Sequence, residues 1–134
     1  MSNFIRITPF MTVDNLDRAV HFFSDILGFT TYINAGGYAY LQRETAGMRI
    51  LEQRGQAAPP GTRRYAYYID VNDVDQLYAE LKPKLDTLPE GDVRGPFDQE
   101  YGQRELLILA PDGNFLVFGH TIAEKEASAS EFKP

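Results

Sequence analysis

The chain has no cysteine, no tryptophan, only two histidines and no excess of positive charge. Each absence removes a class of chemistry. Without cysteine there are no disulfides, no thiolate metal ligands and no thiol nucleophile. A net charge of −6 speaks against a nucleic-acid backbone as partner. It mildly favours a cationic ligand, although an acidic surface also simply keeps a protein soluble. No apolar run reaches the roughly 18 residues of a membrane span. The opening Met1-Ser2-Asn3-Phe4-Ile5-Arg6 lacks the charged and apolar regions of a secretory signal. Gly36-Gly37 is followed by no helix and so makes no phosphate loop, and no serine sits in a nucleophile elbow. These readings exclude nucleic-acid and membrane partners and point to a cytoplasmic address.

What is present is a repeat. Asp14-Asn15-Leu16-Asp17 and Asn72-Asp73-Val74-Asp75 each follow an apolar, strand-like run and open a helix-like stretch, 58 residues apart. A repeat of that length means two copies of one supersecondary unit. In the first copy, Phe4 to Val13 reads as a strand, with Pro9 restricting its pairing. Asp14 is the expected helix cap, with Leu16, Ala19, Val20, Phe23 and Leu27 on one face and Gly28 as the stop. Three strands follow, at 29–34, 38–43 and 48–53. In the second copy, 65–71 is a strand and Asn72 the expected cap. Pro83 should stop or kink the helix end. A turn-rich stretch with a strand near 93–97 follows, then strands at 105–109 and 115–118 around Pro111-Asp112-Gly113-Asn114. The reading is an α+β fold of two βαβββ modules in one domain spanning 1–134. Module one covers about 4–54, a Pro/Gly linker 55–63, module two about 64–120, and a frayed helix or tail 121–134.

Val13-Asp14-Asn15-Leu16-Asp17-Arg18-Ala19, then Phe22-Phe23 and Ile26-Leu27-Gly28-Phe29, resemble the opening of the vicinal oxygen chelate superfamily. Tyr101-Gly102-Gln103-Arg104-Glu105 and Pro111-Asp112-Gly113-Asn114 resemble its closing hairpin. That family holds glyoxalase I, extradiol dioxygenases, fosfomycin-resistance enzymes and bleomycin-resistance proteins. The resemblance implies paired βαβββ modules in a curved mixed sheet around a cleft, with helices on the outer face, usually within a homodimer. It also implies a divalent metal in the enzymes, held by His, Gln or Glu. Counted from the motifs, those ligand positions fall on Thr8, Ala66 and Val117 here, none of which is a strong donor. Glu52 is the nearest carboxylate to the fourth position. His21 and His120 read as surface or packing residues. We therefore expect no metal and no cofactor.

Strand alternation carries Phe10 and Tyr68 to the same face as Thr8 and Ala66, with Asp70 farther along, and sets Tyr38 and Tyr40 on one face. Phe10 reads equally as core. Bleomycin-resistance proteins, by resemblance, stack planar ligand groups at positions matching Tyr38 and Tyr68. The ligand-binding set read from the sequence is Phe10, Tyr38, Tyr40, Glu52, Tyr68, Asp70 and Arg104, the last with a hydrogen-bonding role near the cleft rim. The expected function is sequestration of a planar small molecule, a cationic one being favoured. The alternatives are a glyoxalase- or dioxygenase-like enzyme with a displaced metal, and a metal-free lyase or cyclase using Glu52, Asp70 or a tyrosine as acid–base.

Overall fold

A computed structural model describes residues 2–55 and 57–122. The chain divides into two compact units, Met1–Pro59 and Pro60–Pro134. The first contains β1 (Phe10–Val13), α1 (Leu16–His21) running on into a wider π-type turn (Phe22–Ile26), β2 (Thr30–Ala35), β3 (Tyr38–Arg43) and β4 (Ala46–Glu52). Its four strands lie in the order β1-β4-β3-β2, with β1 parallel to β4 and the other neighbours antiparallel. The second contains β5 (Tyr65–Asp70), α2 (Val74–Leu85), β6 (Val93–Asp98), β7 (Gln103–Ala110) and β8 (Asn114–Thr121). Its order, β5-β8-β7-β6 with β5 parallel to β8, is the same topology. The expected α+β pair of βαβββ modules is thus present, as two four-stranded mixed sheets with one main helix each. The reading of 121–134 lies outside the described residues, except that Thr121 closes β8.

Three expectations are corrected. The first strand begins at Phe10, not Phe4. Pro9 has no N–H for a ladder; its carbonyl accepts from Arg49 N (3.0 Å), but regular pairing starts only after it. The helix caps are one residue later than expected. Asn15 Oδ1 accepts from Arg18 N (3.0 Å) and Asp73 Oδ1 from Gln76 N (3.1 Å), still 58 residues apart. Asp14 instead accepts from Gly55 N (2.8 Å). Pro83 does not end α2, which continues to Leu85. A proline in the last turn forfeits one backbone bond without breaking the axis.

Each sheet buries one face. In the first unit Met11, Val13, Ala39, Leu41, Met48 and Ile50 alternate inward beneath Leu16, Ala19, Phe23 and Leu27, all of them buried. Phe23 meets Phe29 edge-on at 5.3 Å between centroids. Gly28 takes φ +76 and lets Phe29 N reach back to Phe23 O at 2.9 Å, a six-residue closure of the helix end. In the second unit Leu106, Ile108, Leu116 and Phe118 form the matching layer with Val74, Leu81 and Leu85.

The two helices are tied to their sheets in the same way. Leu16 N, the first helical amide of α1, donates to Glu52 Oε2 on β4 (2.9 Å). Val74 N, the first of α2, donates to His120 Nδ1 on β8 (2.9 Å). In each unit the last strand therefore satisfies one of the orphan donors at the helix N-terminus.

The tight Pro111–Gly113 turn is secured by Asn114, which is fully buried. Its Nδ2 donates to Pro111 O (2.8 Å), and its Oδ1 accepts from Tyr67 OH (3.2 Å). Burial first, and Tyr65 second, push the Tyr67 hydroxyl above the usual phenol range. Asn114→Ala leaves a carbonyl and a phenol without these partners, so it should cost about 1–3 kcal/mol. Urea denaturation measures this directly; a loss below about 0.5 kcal/mol would show the network to be dispensable.

Candidate ligand-binding faces

The face of each sheet opposite its helix carries a group of aromatic residues, while Tyr67 and Phe118 turn to the helix side. In the first unit this open face is built by Phe10 and Thr12 of β1, Arg49 and Leu51 of β4, and Tyr38, Tyr40 and Gln42 of β3. Register places Arg49 between Phe10 and Tyr40, and Leu51 between Thr12 and Tyr38. Tyr32 joins from β2, 6.3 Å from Tyr40 between ring centroids. Arg49 organises the row. Its Nη1 donates to Tyr38 OH (2.5 Å) and its Nε to Thr8 Oγ1 (3.0 Å), while its guanidinium lies 4.9 Å from the Tyr40 ring centroid. Tyr40 OH donates to Gln42 Oε1 (2.8 Å) and accepts from Arg6 Nη2 (3.3 Å). The Tyr38 and Tyr40 hydroxyls are thus held by the chain's own side chains, Arg49 for the first and Arg6 and Gln42 for the second.

In the second unit the open face holds Ala66, Tyr68 and Asp70 of β5, opposite Phe115, Val117 and Gly119 of β8. Beyond them lie Leu109, Leu107, Glu105 and Gln103 of β7, then Arg94 and Phe97 of β6. Tyr68 is half-exposed and its hydroxyl donates to Gln103 Oε1 (3.1 Å). Burial, then Glu105, raise its ionisation far above the usual phenol range. Tyr101 OH donates to Glu105 Oε1 (2.7 Å); burial and Glu105 push this phenol up to about 12.

Two glycines make room for these rings. A Cβ on Gly119 would run into Tyr68 OH, and one on Gly47 would stand 2.8 Å from Tyr40 OH and 3.1 Å from Thr8 Cγ2. Both sit inside strands, where glycine marks a close approach. In each unit a tyrosine lies flat across a strand through the gap left by a missing side chain.

Of the seven residues singled out in the sequence, Phe10, Tyr38 and Tyr40 share the open face of the first unit, and Tyr68 and Asp70 that of the second. Glu52 and Arg104 lie on the helix-bearing faces. Glu52 holds the α1 amide. Arg104 makes a fork to Asp75 of α2 (Nε to Oδ2 2.9 Å, Nη2 to Oδ1 3.0 Å) and a further bond to Asp98 (3.0 Å). These bonds, Asp75 first, raise the arginine's ionisation, and Arg104 in turn holds the Asp75 carboxyl below its usual range. Sequence reasoning did not single out Arg49, Gly47, Gly119 or Glu105. The signal for Arg49 was its place between buried Met48 and Ile50. For Glu105 it was a carboxylate heading the apolar run 106–110.

The family metal fits none of the three expected positions. Thr8 offers one hydroxyl, already accepting from Arg49, while Ala66 and Val117 offer no donor atom. Among the described residues no three His, Cys, Asp or Glu side chains are grouped so as to hold a metal ion. His120 is engaged with α2, and His21 is exposed beside Asp25 at 3.5 Å.

Residues 5–118 match the model of the Glyoxalase/Bleomycin resistance protein/Dioxygenase superfamily. The chain belongs to that family. A bleomycin resistance protein of Geobacillus stearothermophilus is 24% identical over 124 residues, covering 82% of this chain and 92% of that one. Among solved structures, a bleomycin-binding protein from bleomycin-producing Streptomyces verticillus, in complex with copper(II)-bleomycin, superposes with a TM-score of 0.72. It is 24% identical and covers 88% of this chain and 97% of its own. A lactoylglutathione lyase from Agrobacterium tumefaciens gives a TM-score of 0.66 at 14% identity, over 89% of this chain and 95% of that one. Binding proteins and an enzyme thus share this fold, and only the site can separate them.

The glycine gap is testable. Gly119→Ala should push the Tyr68 ring off the strand and away from Glu105, so that its hydroxyl titrates closer to the ordinary value near 10. Ultraviolet titration of phenolate, with Tyr68→Phe as the reference, reads the change; an unaltered Tyr68 would refute the packing argument.

Proposed function

We propose that this family member is a small-molecule binding protein that sequesters a planar, antibiotic-like ligand and performs no chemistry on it. The observation that carries this reading is the pairing of two aromatic open faces with family metal positions occupied by Thr8, Ala66 and Val117. Aromatic walls with a few placed polar groups are the usual composition of a small-molecule site. The named relatives that bind bleomycin or confer resistance to it support the same reading. Glu52 and Arg104 are spent on structure, which weakens their part in ligand contact and in a lyase or cyclase mechanism. The cysteine-free composition suits the reducing cytoplasm, where sequestration would act on compounds that have entered the cell.

Tyr38 and Tyr68 are the stacking residues in this proposal. A ring lost from a stack costs roughly 0.5–1.5 kcal/mol beyond the buried area. Tyr68→Ala should therefore weaken binding about tenfold with the fold intact, and Tyr38→Ala by a similar factor. Isothermal calorimetry with metal-free bleomycin and other flat cationic compounds checks this. Wild type binding none of them, or both variants binding all of them as well as wild type, would defeat sequestration in favour of an enzymatic role.

We further propose a homodimer in which the N-terminal segment of one copy packs against the other. Phe4, Ile5 and Ile7 are 96%, 86% and 93% exposed and precede β1, an edge strand. Three bare apolar side chains beside an open edge call for a partner. Light scattering should give twice the mass of the chain, and deleting residues 2–8 should yield monomer. A stable wild-type monomer at micromolar concentration would reject the dimer.

A further inference from the structure

One group on the second unit's open face is at odds with its surroundings. Glu105 is only 2% exposed, although it stands on the face opposite the helix. It lies opposite Gly119 on one side and Phe97 on the other. Its Oε1 accepts from Tyr101 OH (2.7 Å) and Gln99 Nε2 (3.1 Å). Its Oε2 is buried and has no hydrogen-bond partner among the described residues. A carboxylate oxygen shielded from water and left unbonded is costly, and native proteins rarely tolerate one.

Among the described residues no cation supplies the missing partner, and the Tyr68 hydroxyl, which lies beside the carboxylate, donates to Gln103. Arg104, the adjacent cation, turns to the other face and is held by Asp75 and Asp98. On the open face Arg94 stands opposite Leu107, farther along the strands, and Arg63 lies over Phe115 at 4.0 Å from its centroid. Around Glu105 itself are the rings of Tyr68, Tyr101 and Phe97, all partly exposed. Asp70 adds a second negative charge, felt at the Tyr68 hydroxyl.

We infer that Glu105 is the counter-ion for a planar nitrogen cation, an aryl amidinium or guanidinium, carried by the ligand of this face. The inference rests on the small-molecule reading above and names the ligand's chemistry. A planar N–H fork matches the edge of a carboxylate, whereas a rounded ammonium or a metal ion does not need it. Aromatic rings on either side add attraction for the same cation through their faces. A lone carboxylate is too few donors for a divalent metal. The way in is through Tyr101. It sits on the turn closed by Gln99 N to Gln103 O (2.8 Å) and is mostly exposed, so its ring can swing aside at the loss of one hydrogen bond. The incoming N–H groups replace that bond and fill the vacant lone pair of Oε2.

The test compares two probes of the same shape, 2-naphthamidine and 2-naphthamide, on the full chain by isothermal calorimetry. Wild type should prefer the amidine by tenfold or more. Glu105→Gln, which keeps the volume and removes the charge, should abolish the preference by weakening amidine binding far more than amide binding. Should that variant fail to fold, a crystal structure of wild type with 2-naphthamidine decides. An amidine nitrogen within hydrogen-bond distance of Glu105 Oε2 supports the inference, and any other location overturns it. Amidine and amide binding alike, or a preference that survives Glu105→Gln, overturns it too, and would mean that water satisfies Oε2 or that the cation sits elsewhere. Bleomycin binding without an amidine preference overturns this inference alone. Failure of bleomycin and both probes overturns it together with the sequestration reading.

Discussion

Each unit depends on a side chain of its last strand accepting the first amide of its helix: Glu52 for Leu16, His120 for Val74. The amide is one of the orphan donors of a helix start, so the bond stabilises the helix as well as locating it. Its larger effect is on the sheet. Once Glu52 faces α1, Met48 and Ile50 must face it too, and Gly47, Arg49 and Leu51 must turn away. In the second unit His120 likewise commits Phe118 and Leu116 to the helix side and Gly119 and Val117 to the open one. The composition of both open faces follows from these two bonds. The same bonds remove from those faces a carboxylate and an imidazole that would otherwise be good donors.

Much of this was legible in the sequence, because it rests on period and spacing. The 58-residue repeat, the strand at 38–43 and the glycine stop at Gly28 all follow from local rules that no tertiary contact overrides. The closing Pro-Asp-Gly-Asn turn belongs with them. Alternation also placed Phe10, Tyr38, Tyr40, Tyr68 and Asp70 on the faces they occupy. The failures are of two physical kinds. Competition between adjacent acceptors is invisible in a string: Asp14 and Asn15 can both cap, and only the position of Gly55 shows which is otherwise engaged. Side-chain partners across strands are equally hidden. Nothing local says that Arg104 would reach Asp75 on the helix side. Nor does anything local show that Arg49 would take the Tyr38 hydroxyl and lie over the Tyr40 ring.

The two units share topology and differ in charge. The open face of the first is knit together by guanidinium groups, Arg49 above Tyr40 and Arg6 at its hydroxyl. That of the second is centred on a buried carboxylate with phenols around it. A duplicated framework has thus been given two chemistries, while the helix faces kept the same plan of apolar layer and amide anchor. This division explains how one fold can host binding proteins and lyases. The face turned toward the helix determines folding, and the other is open to change with little effect on it.

Gly47 and Gly119 bear on how such a surface evolves. The tyrosines that lie across them are held by side chains, Tyr40 by Gln42 and Arg6 and Tyr68 by Gln103, and the empty space beneath lets them lie there. A single added carbon at either position would re-aim a ring while leaving every aromatic residue and every strand in place. One mutational step at either glycine would therefore change the shape of an open face. A census of the aromatic positions alone would miss the event, because the change is recorded at the glycines beneath them.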